Sequence, residues 1–203
     1  YTHGDFFFNG TVYANLFRHK IEGVWRIYDM QYNFEYTNLD NQTLAGVDWL
    51  MKWNFLRHWT VDASYSYVYV SKENGLQFNT TSPYAATSGI DYRYDNGKNY
   101  GLKVNLNASF MGKKTYDVQD RLTVDGISHK AYFRCELLAY VLCNLNVMQE
   151  FGTYLKVSAG VNNLFNYKPK TLGSGLTAFS VPATAGARVY VQMEVKLDAL
   201  FHK

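Results

Sequence analysis

The stretch Lys98-Asn99-Tyr100-Gly101-Leu102-Lys103-Val104-Asn105-Leu106-Asn107-Ala108-Ser109-Phe110 decides the fold. Tyr100, Leu102, Val104, Leu106, Ala108 and Phe110 are apolar or aromatic, and they alternate with Asn99, Gly101, Lys103, Asn105, Asn107 and Ser109. Side chains of an extended chain point alternately to its two faces, so this period of two predicts a strand with one apolar and one polar face. The segment outruns the roughly 5–6 residues of an ordinary soluble strand and reaches the roughly 9–11 that a tilted strand needs to cross a bilayer.

The same pattern recurs on both sides. Ala187, Val189, Val191, Met193, Val195 and Leu197 oppose Arg188, Tyr190, Gln192, Glu194 and Lys196; Trp59, Val61, Ala63, Tyr65, Tyr67 and Tyr69 oppose Thr60, Asp62, Ser64 and Ser66. Leu155, Val157, Ala159 and Val161 oppose Lys156, Ser158, Gly160 and Asn162, and Val47, Trp49, Met51 and Trp53 oppose Asp48, Lys52 and Asn54. Upstream, Phe6 to Ile21 reads as one strand and Tyr32 to Phe55 as a long returning one, with a parity change near Asn38 to Thr43 that suggests a bulge. Val24 to Gln31 is open to either loop or strand. The count comes to about eight strands by the two-residue period.

The connections alternate in length. Leu56 to His58, Asp95-Asn96-Gly97 and Val147 to Gly152 are short, whereas Ser71 to Tyr84, Gly112 to Lys130 and Asn166 to Ala185 are long and polar. Outer-membrane barrels have short periplasmic turns and longer extracellular loops, so the predicted class is all-β, an antiparallel transmembrane β-barrel. Trp49, Trp53, Trp59, Tyr92 and Tyr94 would then form interfacial girdles.

Composition agrees. Aromatics make up 17% of the 203 residues, against only 3 prolines, a bias that favours strands. A net charge of +3, from 20 basic and 17 acidic residues, is too small and mixed to point to nucleic acid. No apolar run approaches the roughly 18 residues of a membrane helix. Tyr1-Thr2-His3 lacks both an initiating Met and a secretory signal, which reads as a fragment or a processed piece. Cys135 and Cys143, read as lying on one strand, would stand roughly 27 Å apart, too far to pair.

The segment Gly152 to Tyr167, with Gly160-Val161-Asn162-Asn163-Leu164-Phe165 at its centre, resembles the penultimate strand of TonB-dependent receptors. Tyr36-Thr37-Asn38 followed by Leu44-Ala45-Gly46-Val47-Asp48 is similar to another pattern of that family, with Asp48 where Glu is usual. Pro83, Gly89-Ile90-Asp91-Tyr92 and Met111-Gly112-Lys113 resemble its next hairpin. The resemblance implies that residues 1–203 are the C-terminal part of a 22-stranded bacterial outer-membrane barrel, with the plug domain outside this chain. It also implies a receptor that imports a scarce small-molecule ligand, such as an iron chelate, haem, cobalamin or a glycan. Its partners would be outer-membrane lipid, the plug, and TonB through the missing N-terminal part. The end departs from the family pattern, because Leu197 is followed by Asp198 to Lys203 rather than closing on an aromatic; Phe201 could take that part.

No catalytic constellation, metal site or cofactor site is expected. The five histidines, His3, His19, His58, His129 and His202, are dispersed, and nothing sets a nucleophile beside a base. Gly173-Ser174-Gly175 is followed by no helical pattern and reads as loop. Lumen-facing polar positions are expected at Asp48, Lys52, Asp62, Lys103, Arg134, Glu136, Lys156, Arg188, Glu194 and Lys196. Location in the long loops makes Tyr116, Arg121 and His129, with Tyr167, Lys168 and Lys170, the candidates for ligand contact. Two other architectures fit the alternation: a complete eight-stranded barrel with an anchoring or adhesive role, and a soluble β-sandwich binding module. In the small barrel the strand at Phe6 would pair with that at Val189.

Overall fold

The computed structural model describes residues 1–28, 31–72, 81–97, 99–124, 127–168, 171–172 and 186–197. All of its regular structure is strand: β1 Thr2–His3, β2 Phe6–Tyr28, β3 Gln31–Leu56, β4 Trp59–Val70, β5 Tyr84–Asp95, β6 Tyr100–Met111, β7 Lys114–Val124, β8 Ile127–Leu137, β9 Tyr140–Phe151, β10 Leu155–Asn162, β11 Thr171–Leu172 and β12 Arg188–Val195. They form one sheet in the order β11-β8-β7-β2-β3-β4-β5-β6-β9-β10-β12, with β1 pairing β2. The run β2, β3, β4, β5, β6, β9, β10 and β12 is antiparallel throughout and accounts for the eight strands expected from periodicity. Among the described residues no pairing joins β2 to β12, so the sheet is open, as a piece of a larger barrel would be.

Directly opposed residues share a face, so the register propagates the alternation from strand to strand. One row runs Phe6, Trp53, Val61, Ile90, Leu106, Leu145, Val161, Val189. The next row toward the loops runs Phe8, Met51, Ala63, Ser88, Ala108, Cys143. The other face carries rows such as Thr11, Asp48, Ser66, Ala85 and Lys52, Asp62, Gly89, Asn107, Asn144. Among the described residues nothing packs on the apolar face: Val12 is 79% and Val189 76% exposed, and the buried apolar side chains are Tyr116 and Leu137. A soluble sandwich would bury such a face against a second sheet, and the described residues form only one.

Aromatic rings gather at two heights on the apolar face. Trp53, Phe55, Trp59 and Tyr92 touch in sequence near the short turns, with centroids 4.8 to 6.4 Å apart, and Tyr100 meets Phe151 at 5.7 Å. Nearer the long connections, Phe8, Trp49 and Tyr65 stack at 6.2 to 6.3 Å, and Tyr84 stacks on Phe110 at 6.0 Å. From Tyr100 to Phe110 the strand rises about 34 Å, or about 25 Å across a bilayer at a tilt of roughly 40°, the height of an outer-membrane apolar band.

Four sequence expectations change. The connection from Gly112 to Lys130 is not plain loop: β7 and β8 make a hairpin in register from Lys114↔Leu137 to Val124↔Ile127, inserted between β6 and β9, which pair directly with each other. Cys135 therefore lies in β8 and Cys143 in β9, on separate strands rather than one, and Cys143 is a free thiol. Near Asn38 to Thr43 the β2–β3 register continues without a shift, passing from Arg18↔Asn41 to Lys20↔Leu39 around His19, whose φ is +52°. The parity change there has another cause. β4 ends at Val70 opposite Leu44, so among the described residues β3 has no β4 partner beyond that point against which a one-sided pattern would be kept. The turn placed at Val147 to Gly152 falls after Phe151, where Gly152 takes φ +57°, a left-handed conformation that costs glycine least.

Candidate functional site: the polar face and its loop-end rim

The polar face is bound together by side chains that the strand register sets opposite or diagonal to each other. Ser66 Oγ donates to Asp48 Oδ1 at 2.5 Å. A ladder of amides crosses four strands: Asn105 Nδ2 donates to Asp91 Oδ1 (2.8 Å), Asn107 Nδ2 to Asn105 Oδ1 (2.8 Å) and Asn144 Nδ2 to Asn107 Oδ1 (2.9 Å). It ends where Asn144 Oδ1 accepts the backbone N–H of Asn163 at 2.9 Å. Near the short turns, Glu150 Oε1 lies 3.1 Å from Lys103 Nζ and 3.7 Å from Lys156 Nζ. These ammonium groups are partly exposed, so each pair contributes about 0–1 kcal/mol, no more than one neutral ladder bond at about 0.5–1.5 kcal/mol. The amide ladder, not the ion pairs, is the main polar tie across this face.

Asn163 closes the loop end of β10. It is 6% exposed with φ +55°, its Oδ1 accepts the Tyr167 N–H at 2.8 Å, and its Nδ2 donates to the Tyr167 carbonyl at 2.7 Å. Asparagine tolerates the left-handed region because its short amide satisfies nearby backbone, here that of Tyr167. The Tyr167 ring stacks on Tyr140 at the loop end of β9, with centroids 5.2 Å apart and planes 14° off parallel.

The β7–β8 hairpin rises from the same rim. Arg134 Nε donates to Asp117 Oδ1 at 3.0 Å and Lys113 Nζ lies 2.8 Å from Glu136 Oε2. The Asp117 side chain is 4% exposed, and its hydrogen bond and negative charge raise the Arg134 guanidinium pKa above its ordinary value. Along its edges the hairpin meets β2 through Arg26↔Gln119 and Ile27↔Asp120, in parallel, and β11 through Leu137↔Thr171 and Glu136↔Leu172. Arg134 and Glu136, expected to line the lumen wall, therefore belong to this hairpin; the break after Leu137 interrupts the strand whose parity had placed them there.

The ligand-contact candidates separate into two groups on this rim. Tyr116, Arg121 and His129 lie on the hairpin, with Tyr116 opposite Cys135, Arg121 opposite Lys130 and Leu122 opposite His129. Tyr116 is 6% exposed. Tyr167 and Lys168 follow β10, with Tyr167 clamped by Asn163 and Lys168 exposed; Lys170 lies outside the described residues. β11 pairs with the base of the hairpin, which brings the two loop systems to one end of the sheet. Sequence reading passed over Asn105, Asn107, Asn144 and Asn163 as generic polar positions. Their signal was there in the two asparagines two residues apart in β6, Asn105 and Asn107, and in Asn144 and Asn146 of β9.

Among the described residues no group of His, Cys, Asp and Glu could hold a metal ion, and no helix is long and apolar enough to cross a membrane, which leaves crossing by strands untouched. A family model described as TonB dependent receptor-like, beta-barrel, matches residues 1–164. The chain belongs to that family. Comparison with curated proteins finds no match. Among solved structures, this receptor barrel is similar to "Copper transporter OprC", with a TM-score of 0.69 and 16% identity over 96% of this chain and 29% of that one. It is likewise similar to a variant of the ferric enterobactin receptor PfeA from Pseudomonas aeruginosa (TM-score 0.68, 16% identity, 96% and 29% covered). A third is the siderophore receptor PirA from Acinetobacter baumannii (TM-score 0.64, 14% identity, 96% and 30% covered). At such identities the likeness is one of fold, and the chain spans only 29% to 30% of these neighbours. The family and these neighbours are receptors and transporters, outer-membrane proteins of Gram-negative bacteria.

Proposed function

We propose that this chain forms the last part of the barrel of a TonB-dependent outer-membrane receptor, one that imports a scarce nutrient such as an iron chelate, haem, cobalamin or a glycan. The observation that carries the reading is an open, two-faced sheet of membrane-crossing strands within a matched receptor-barrel family. On this reading the apolar face meets lipid and the polar face, with its amide ladder, lines the lumen against the plug. The short turns face the periplasm and the rim of long connections faces outward. The plug and the segment that engages TonB belong to the remainder of the polypeptide. The metal and siderophore neighbours favour a metal or metal chelate within that range. Tyr116, Arg121, His129, Tyr167, Lys168 and Lys170 are the residues this reading offers for ligand contact.

The test is the mass and N-terminal sequence of the native polypeptide extracted from membranes with and without detergent. A detergent-dependent polypeptide several times this length, with a plug-like region upstream, is expected. A membrane protein starting near Tyr1 would favour the small closed barrel, and one that dissolves without detergent would sink both membrane readings.

A further inference from the structure

At the loop end of β4 the sheet opens into a cleft. β4 pairs with β5 as far as Tyr67↔Tyr84, with one more bond from Val68 N–H to the Pro83 carbonyl, yet it continues to Val70 against β3. Beyond Val68 the chain on the β5 side leaves β4, and the root of the β7–β8 hairpin forms the far wall. The space between is about 180 Å³, with Tyr67, Tyr69, Lys72, Thr81, Lys113 and Thr115 among its lining residues.

The walls are held by specific contacts. Ser82 Oγ lies 3.0 Å from the Tyr84 carbonyl and 2.9 Å from the Gly112 carbonyl, and the Gly112 N–H donates to the Tyr84 carbonyl at 2.9 Å. A side chain at Gly112 would strike the Tyr84 ring and come within 2.8 Å of the Tyr84 carbonyl oxygen, so glycine is what lets the hairpin root lie this close. The lining carries two ammonium groups and the hydroxyls of Thr81, Thr115 and the two tyrosines, and among the described residues no carboxylate. Glu136 lies on the Lys113 ammonium at 2.8 Å, and among the described residues Lys72 pairs with no carboxylate.

We propose that this cleft is an oxyanion-binding site, taking a phosphate or carboxylate group between Lys72 and Lys113 with the Thr115 hydroxyl as a further donor. A tetrahedral oxyanion and a few waters, at about 30 Å³ per water, fill the space. Ammonium-to-oxyanion hydrogen bonds are the strong, charge-assisted kind, and such pairing near a surface weakens with salt. The group can arrive on a soluble solute or on a phosphorylated lipid of the outer leaflet, and the two sources part experimentally. The site does not depend on what the receptor imports.

The whole receptor, purified in detergent, is titrated with inorganic phosphate by calorimetry at low and high salt, beside K72Q/K113Q, K72R/K113R, Thr115→Val and, as a control at the opposite end of the sheet, K196Q. Saturable binding that falls at least about tenfold in the double glutamine variant and about threefold in Thr115→Val is expected, with retention in the arginine pair and in K196Q. Native mass spectrometry of the same preparations separates the sources: a phosphorylated lipid retained by the parent and lost from K72Q/K113Q assigns the lipid, and its absence beside saturable phosphate binding assigns the solute. Phosphate binding that does not saturate together with no retained lipid, or either kind of binding left unchanged in K72Q/K113Q, overturns the proposal. Uptake of metal chelates by cells carrying K72Q/K113Q is scored separately, so failure of this site leaves the transport reading untouched.

Discussion

Asn163 shows how much a single residue contributes at the rim. It accepts one hydrogen bond from Tyr167 and donates another to it while holding φ +55°. Asn163→Ala removes both bonds, at about 0.5–1.5 kcal/mol each, and puts a Cβ without a compensating amide into the left-handed region, at about 1–2 kcal/mol. A loss of about 2–5 kcal/mol in chemical unfolding of the detergent-solubilised receptor is expected. Asn163→Asp keeps the acceptor and loses only the donor, so it should fall between the two; an alanine variant indistinguishable from the parent would mean the clamp is incidental. The motif around Asn163 was legible from sequence, but the clamp was not, because it needs Tyr167 to fold back across a turn whose path the residue pattern does not encode. Tyr167 was read as a ligand contact on location alone. Its backbone is spoken for by Asn163 and its ring by Tyr140.

At the scale of elements, the two faces of β6 make opposite predictions. Leu106→Arg places a charge on the apolar face midway between the aromatic levels of Tyr100 and Phe110 and should cost about 2–4 kcal/mol in folding into bilayers, whereas Ser109→Lys, on the polar face and outside the amide ladder, should cost far less. Equal costs at the two positions would mean that these faces are not lipid and lumen. The β7–β8 hairpin carries a second prediction. β6 and β9 pair from Tyr100↔Phe151 to Met111↔Tyr140 without it, so replacing residues 114–137 by a short polar linker should leave barrel folding intact. The readout is heat-modifiable migration on gels; its disappearance would make the hairpin part of the wall. Length and polarity had concealed this hairpin, yet Asp125-Gly126 beside Val124 and Ile127 is a turn signal that sequence reading could have used. What no local signal could reveal is the parallel meeting of Gln119 and Asp120 with Arg26 and Ile27, a contact between distant segments.

For the molecule as a whole, the open sheet leaves β12, and the stretch of β2 between its short pairings with β1 and β7, without the partners that a closed barrel supplies among the described residues. Residues 1–203 expressed alone in detergent are expected to associate through these edges rather than run as a compact, SDS-resistant monomer; a resistant monomer by light scattering and semi-native gels would favour closure into eight strands. Several features were written in the residues themselves: strand existence, the assignment of side chains to faces, the aromatic levels, the alternation of short and long connections, and the family resemblance. Each is a local property, since alternation along an extended chain fixes which way every side chain points, whatever the neighbours are. The tertiary structure alone decided that β6 passes over a whole hairpin to pair with β9, that Asp91 of β5, the asparagines of β6 and β9 and Asn163 just past β10 join into one ladder, that Lys72 and Lys113 share a cleft, and that the sheet stays open. These depend on which strands meet and at what register, a non-local choice made by pairing geometry that a period of two leaves undetermined.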